Sequence, residues 1–146
     1  MFDTPTLTGS HPRPDARPDL EWPQATLLIG LGLAFWLMAA LVVRWGVPLG
    51  LFAGGARAAL FALTVPVAAG MIWAAVRAAG LRRDQVVAGV ALVSGTAALC
   101  DGVVLSWAPG LYGAGAEAHA AGAAWILWGF GLGLAASFAA TRLGRP

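Results

Sequence analysis

Four long apolar segments limit what this chain can fold into more than any other feature of its sequence. They cover residues 24–43, 57–77, 85–107 and 119–141, and inside their ends Asp101 is the only charged side chain. Each segment is long enough to cross the roughly 30 Å hydrocarbon core of a bilayer as a helix. Charged residues make up 11% of the chain, against about 25% in soluble domains, which is too few to cover a water-facing surface. The sequence therefore predicts an all-α membrane protein, a bundle of four transmembrane helices.

Helix-stop and helix-start signals lie between the second and third segments. Gly80 is suited to the left-handed conformation that often ends a helix. Asp84 is suited to cap the next helix by accepting bonds from its first amides. These signals predict a tight turn between two separate helices.

Arginines indicate the orientation in the membrane. With four spans, both termini and the middle turn share one side, and that side carries seven arginines while the other carries only Arg44 and Arg57. The seven are Arg13, Arg17, Arg77, Arg82, Arg83, Arg142 and Arg145. Because cytoplasmic loops are enriched in basic residues, we expect a bacterial cytoplasmic (inner) membrane protein with both termini in the cytoplasm.

Residues 1–21 differ from the rest of the chain. They contain Pro5, Pro12, Pro14 and Pro18, a density that blocks helix and favours extended chain. We expect a disordered Pro-rich cytoplasmic leader followed by a transmembrane domain over residues 22–146. Whether the leader also docks a soluble partner stays open.

Asp101 is the first candidate for a functional residue. A carboxylate inside a membrane costs roughly 2.5–3.5 kcal/mol on insertion scales, so it must face protein or water rather than lipid. Ser94 lies on the same helical face, and the remaining neighbours on that face are small or apolar. A partner must therefore come from elsewhere, and we expect His119 or the indole of Trp125. Asp101 is then either a buried polar latch between helices or a proton, cation or ligand site.

Small residues recur at four-residue spacing on the last segment, at Gly129, Gly133 and Ser137. Such ridges let membrane helices approach closely. The ridge fits packing within the bundle, and it also fits homodimerisation or docking on a membrane-protein partner.

The sequence lacks the motifs that indicate metal binding, catalysis or nucleic-acid binding. The single cysteine and two histidines give no metal-binding pattern, and we predict no metal and no cofactor. No paired carboxylates, catalytic triad or phosphate loop can be recognised, so we expect a protein that is not an enzyme. The basic residues are not clustered on one face as in nucleic-acid-binding proteins, so the expected partners are the lipid bilayer and other membrane proteins.

The segment from Ala98 to Gly113, ALCDGVVLSWAPGLYG, has an aspartate, an aromatic residue, Pro109 and Tyr112 in sequence, and AAWILWGFGLGL follows from Ala123. This pattern resembles a family of small four-helix bacterial membrane proteins of unknown function. The resemblance covers the last two helices, and it implies four transmembrane helices without an assigned activity. It draws attention to Pro109 and Tyr112 as a loop motif.

Two functions are compatible with these features. The first is a non-enzymatic accessory or interaction subunit in which Asp101 is a latch. The second is a small proton- or cation-coupled transporter or channel-like protein that acts as an oligomer through Asp101.

Overall fold

The computed structural model describes residues 19–143, and every regular element in this range is helical. The long helices are α1 (Trp22–Gly46), α2 (Gly54–Ala79), α3 (Val86–Trp107) and α4 (Ala116–Leu143). Short 3₁₀ turns, Arg83–Gln85 and Pro109–Tyr112, precede and follow α3. Most of the predicted leader lies outside the described residues.

All four long helices are sufficiently long and apolar to span a membrane, which confirms the prediction of four helical candidate membrane spans. Within an apolar 18-residue stretch of each span, between 6% and 33% of the residues are buried inside the protein. The remaining surface carries large apolar side chains such as Leu99, Leu127 and Leu63, which are at least 60% exposed. Lipid is the solvent that such a surface requires.

The helices are longer than predicted at most of their ends. The clearest difference is at Gly54 and Gly55, which we expected in a loop and which form the first turn of α2. Gly54 has φ 51°, a conformation that glycine adopts without strain, and the Arg57 amide donates to the Ala53 carbonyl to close this turn. α4 begins at Ala116, so His119 lies inside the helix and not at its start.

One of the two turn signals is confirmed and the other is wrong. Gly80 ends α2 with φ 58° and ψ 39°, the left-handed conformation. Asp84 does not cap α3, because it lies within the 3₁₀ turn and its carboxylate contacts the Arg82 guanidinium at 3.4 Å. The residue before α3 is Gln85.

Hydrogen bonds between distant residues fix the directions of the helices. Gln24 at the start of α1 bonds to Ala79 at the end of α2, and Gln85 bonds to Gln24. At the opposite end, Arg44 in the last turn of α1 bonds to Gly110 and Leu111 beyond α3. α1 and α3 therefore run in the same direction and α2 runs against them. We call the two ends of the protein the Gln85 end and the Tyr112 end.

Helix packing is closest where glycines face another helix. α1 packs most extensively against α3, and a Cβ added to Gly32 would lie 2.8 Å from both the Thr96 side chain and the Val93 carbonyl. On α4, a Cβ added to Gly122 would lie 2.6 Å from Val43. A larger residue at either glycine would have to push α1 away from its neighbour.

Two apolar clusters fill the interior, one toward each end. Leu28, Ala75, Leu81 and Val93 form the cluster toward the Gln85 end. Ala40, Val43, Phe52, Tyr112 and Ile126 form the cluster toward the Tyr112 end. A cavity in the interior is lined by members of both clusters, among them Ala75, Val93 and Ile126.

Candidate functional site

Asp101 lies in the last two turns of α3 and is 6% exposed. Its carboxylate accepts a hydrogen bond from the Tyr112 hydroxyl, and that hydroxyl accepts a bond of 3.0 Å from the Trp36 indole N–H. Tyr112 is 1% exposed. Three side chains from α1, α3 and the turn after α3 thus form one hydrogen-bonded chain, which we call the Asp101 cluster.

Tyr112 reaches Asp101 because the chain turns back immediately after α3. Ala108 leaves helical geometry with φ −140° and ψ 49°, and the 3₁₀ turn Pro109–Tyr112 follows. Gly113 then has φ 115°, a conformation that favours glycine. This tight reversal carries the tyrosine back over the end of the helix into the interior.

Two further side chains hold the same turn. The Arg44 guanidinium donates to the carbonyls of Gly110 and Leu111 at 3.3 and 3.2 Å. The His119 imidazole is hydrogen-bonded to the Gly113 carbonyl at 2.8 Å. The connection from α3 to α4 is therefore fixed to α1, α3 and α4 by side chains, which is unusual for a loop at a membrane surface.

The ionisation of Tyr112 is strongly disfavoured. Burial raises the pKa of its hydroxyl above the ordinary value of 10.0, and the hydrogen bond to Asp101 raises it further. Tyr112 therefore remains a hydrogen-bond donor throughout the physiological pH range.

The expected partners of Asp101 are wrong. His119 bonds to Gly113 and not to the carboxylate. The Trp125 indole donates to the Thr64 hydroxyl on α2 at 2.7 Å, and Thr64 in turn donates to the Leu60 carbonyl. The chain reversal after α3 places Tyr112 over Asp101. The Tyr112 hydroxyl therefore bonds to the carboxylate, where we expected a side chain of α4.

Asp101, Ser94 and Trp125 do line one cavity, together with residues from all four helices. Its volume is about 140 Å³, close to the roughly 150 Å³ of an engineered apolar cavity that binds benzene. Met38 of α1 and Val67 of α2 also line it and are 44% and 45% exposed. The cavity therefore opens between α1 and α2, toward the surrounding lipid.

The small-residue ridge of α4 faces inward. Gly129 and Gly133 line the cavity. A Cβ added to Gly129 would lie 3.8 Å from the Thr64 side chain, and one added to Gly133 would lie 3.9 Å from the Val90 side chain. The Ser137 side chain is fully buried and donates to the Leu134 carbonyl. These contacts are ordinary in length, and closer contacts occur at Gly32 and Gly122, which spacing alone did not identify.

A second polar cluster, at the Gln85 end, was not predicted at all. Gln85 is fully buried, and its amide donates to the Asp19 carbonyl at 2.9 Å and to Gln24 Oε1 at 3.3 Å. Its carbonyl oxygen accepts from the Arg82 N–H at 3.0 Å. Gln24 donates to the Ala79 carbonyl at 3.1 Å. We call Gln24 and Gln85 the glutamine pair, which connects the start of α1 to the end of α2 and the start of α3.

Polar groups in the interior of the described region are well matched. No buried side-chain nitrogen or oxygen within residues 19–143 lacks a hydrogen-bond partner. Over the same residues, no group of three His, Cys, Asp or Glu side chains is placed to hold a metal ion. The arrangement at Asp101 can therefore fix helix positions and can present a carboxyl group to the cavity.

Comparison of the chain with family models, curated proteins and solved structures finds no match. The resemblance to small four-helix bacterial membrane proteins therefore stays a prediction.

Proposed function

We propose that this chain is a four-helix bundle in the bacterial cytoplasmic membrane, with both termini in the cytoplasm. The Gln85 end carries Arg77, Arg82 and Arg83, and the Tyr112 end carries Arg44 and Arg57. Basic residues are retained on the cytoplasmic side, which supports placing the Gln85 end there. A reporter fused after Pro146 should be active only in the cytoplasm, and activity only outside it would reverse the orientation.

We propose that the protein acts as a non-enzymatic accessory or interaction subunit of a membrane assembly. The observation that supports this function is the Asp101 cluster, in which the carboxylate is engaged by Tyr112 and Tyr112 by Trp36. A group held in this way defines the positions of α1, α3 and the turn between α3 and α4. The cluster is then a latch that gives the outer faces of the helices a fixed shape for a partner to recognise.

The test is purification in a mild detergent from cells at native expression level, followed by native mass spectrometry. A stoichiometric membrane-protein partner supports the proposal. Tyr112→Phe removes the donor to Asp101 and the acceptor for Trp36, and it should weaken partner retention together with thermal stability. A chain that elutes alone or only as a homo-oligomer would count against an accessory role.

A second candidate is a small proton- or cation-coupled transporter that acts as an oligomer. It is favoured by one observation, that Asp101 lines a cavity open toward lipid. Intramembrane carboxylates often lie on ion or proton pathways. The cavity of about 140 Å³ is too small to form a pathway alone, so neighbouring copies would have to extend it.

Asp101→Asn separates the two candidates. In proteoliposomes that carry a pH-sensitive dye, a transporter loses proton flux with this variant while its unfolding transition is almost unchanged. A latch shows no flux in either form, and its free energy of unfolding falls by about 1 kcal/mol or less, because the amide oxygen can still accept from Tyr112. Cys100→Ser is the matched control, since it alters the neighbouring polar atom without removing the carboxyl group.

A further inference from the structure

A groove lies at the Gln85 end on the membrane-facing side of the protein, where α2, α4 and the start of α3 meet. Its volume is about 410 Å³. One wall is formed by Ile72, Trp73 and Val76 of α2, and the small residues Ala136 and Ala140 of α4 form the other. From Ala69 to Arg77 it extends about 12 Å along α2, at 1.5 Å per residue.

Two arginines border the polar end of this groove. Arg77 belongs to the last turn of α2, and Arg83 belongs to the 3₁₀ turn before α3. The Arg77 guanidinium lies over the Trp73 ring, 5.6 Å from its centroid. This contact holds a positive charge at the rim of the apolar wall.

Charged residues other than Arg77 and Arg83 also lie at this end. Asp84 contacts Arg82, and both side chains are more than half exposed. The groove therefore combines an apolar trough at membrane depth with guanidinium groups at the level where headgroups lie. Guanidinium groups bind phosphate oxygens well because their donors form a planar fork.

We propose that this groove binds an anionic phospholipid. Its phosphate is held by Arg77 and Arg83, and one acyl chain lies along Trp73 and Ile72. Basic pockets between transmembrane helices bind anionic headgroups in this way. The site is independent of the accessory role, because it lies at the end of the protein opposite to the Asp101 cluster.

The experiment is native mass spectrometry of the purified full-length chain, titrated in detergent with equal amounts of phosphatidylglycerol and phosphatidylcholine. The wild-type chain should retain phosphatidylglycerol preferentially. The Arg77→Gln/Arg83→Gln double variant should bind it about 30-fold more weakly, which corresponds to about 2 kcal/mol for two arginines near a membrane surface. Arg57→Gln is the matched control, since it removes an arginine at the other end of α2.

A groove-filling variant keeps the proposal testable should the double variant fold poorly. Ala140→Phe leaves both arginines in place and fills the apolar trough, so it should also reduce phosphatidylglycerol retention. Glycerol 3-phosphate, added in excess to the lipid-loaded protein, distinguishes binding of a lipid from binding of a free phosphate. The proposal is overturned if both lipids are retained equally or if Ala140→Phe binds phosphatidylglycerol as the wild type does. It is also overturned if glycerol 3-phosphate displaces the lipid or if a second copy of the chain covers the groove.

Discussion

At the Gln85 end, two neutral amides connect three helices, and at the Tyr112 end one carboxyl group performs the corresponding task. The Gln85 side chain donates to the Asp19 carbonyl and to Gln24, and it accepts from the Arg82 backbone amide. Asp101 accepts from a single hydroxyl, which is itself supported by an indole. Both central side chains are almost completely buried.

The two positions require different hydrogen-bonding chemistry. Gln85 contacts carbonyl oxygens, so it must supply N–H donors, and an amide is the neutral side chain that supplies them together with an acceptor. Asp101 contacts a hydroxyl, so an acceptor is sufficient there. An ionisable group at a position that needs only an acceptor can still serve as the proposed latch, and it also presents a carboxyl group to the cavity beside it.

The largest expected effect on stability comes from Gln85→Glu, which places an acid where the protein has an amide. In Gln85→Glu the two donors are lost, and a carboxylate faces the Asp19 carbonyl and Gln24 Oε1. We expect a loss of about 2–4 kcal/mol in the free energy of unfolding, because buried oxygens are left without donors. The measurement is equilibrium unfolding in mixed micelles of mild detergent and sodium dodecyl sulfate.

The reciprocal exchange is the control. Asp101→Asn retains an oxygen that can accept from Tyr112, so we expect a loss of about 1 kcal/mol or less. Equal losses for the two exchanges would contradict the distinction between a donor-requiring end and an acceptor-requiring end.

A smaller effect on stability is expected from a substitution between α1 and α3, the interface that joins the two ends. Both polar clusters depend on α1 lying against α3, and Gly32 is where these helices are closest. Gly32→Ala would bring a methyl group within 2.8 Å of the Val93 carbonyl, and we expect it to cost about 1–3 kcal/mol as overpacking. The same unfolding measurement applies.

Gly30→Ala is the matched control for this variant. It lies two residues earlier on the same helix, and a Cβ there would have no neighbour within 4 Å. Its unfolding free energy should equal that of the wild type or exceed it by up to about 1 kcal/mol, because alanine favours helix over glycine. If both alanine variants unfold alike, the contact between α1 and α3 does not hold the two ends together.

The comparison also shows what the sequence could and could not predict. Hydropathy is a property of each segment alone, so the four helices and the buried position of Asp101 followed from it. The partner of Asp101 depends on how the chain reverses between Ala108 and Gly113, and residue spacing says little about such a turn. The glutamine pair joins residues 61 positions apart, and only the packed structure brings them together.

The glycine ridge illustrates the same limit within one helix. The spacing of Gly129, Gly133 and Ser137 correctly marks a face of small residues, but spacing does not measure distance to another helix. Gly32 and Gly122 lie closer to their neighbours than the ridge does. The difference arises because contact depends on the partner side chain, here Thr96 or Val43, as much as on the glycine.

The smallest expected effect concerns the ionisation of the Tyr112 end. Tyr112 is the only tyrosine in the chain, so the near-ultraviolet absorbance of phenolate reports on this residue alone. Because burial and Asp101 raise its pKa above 10.0, the hydroxyl should titrate at higher pH in the folded protein than in denaturant. The stability that this bond contributes is fully present below pH 10 and is lost as the pH rises through the higher folded value. Asp101→Asn should move the titration part of the way back, since burial remains while the carboxyl group that raises the pKa is replaced by an amide. A midpoint unchanged from the denatured chain would show that Tyr112 is not the buried donor that joins α1 to α3.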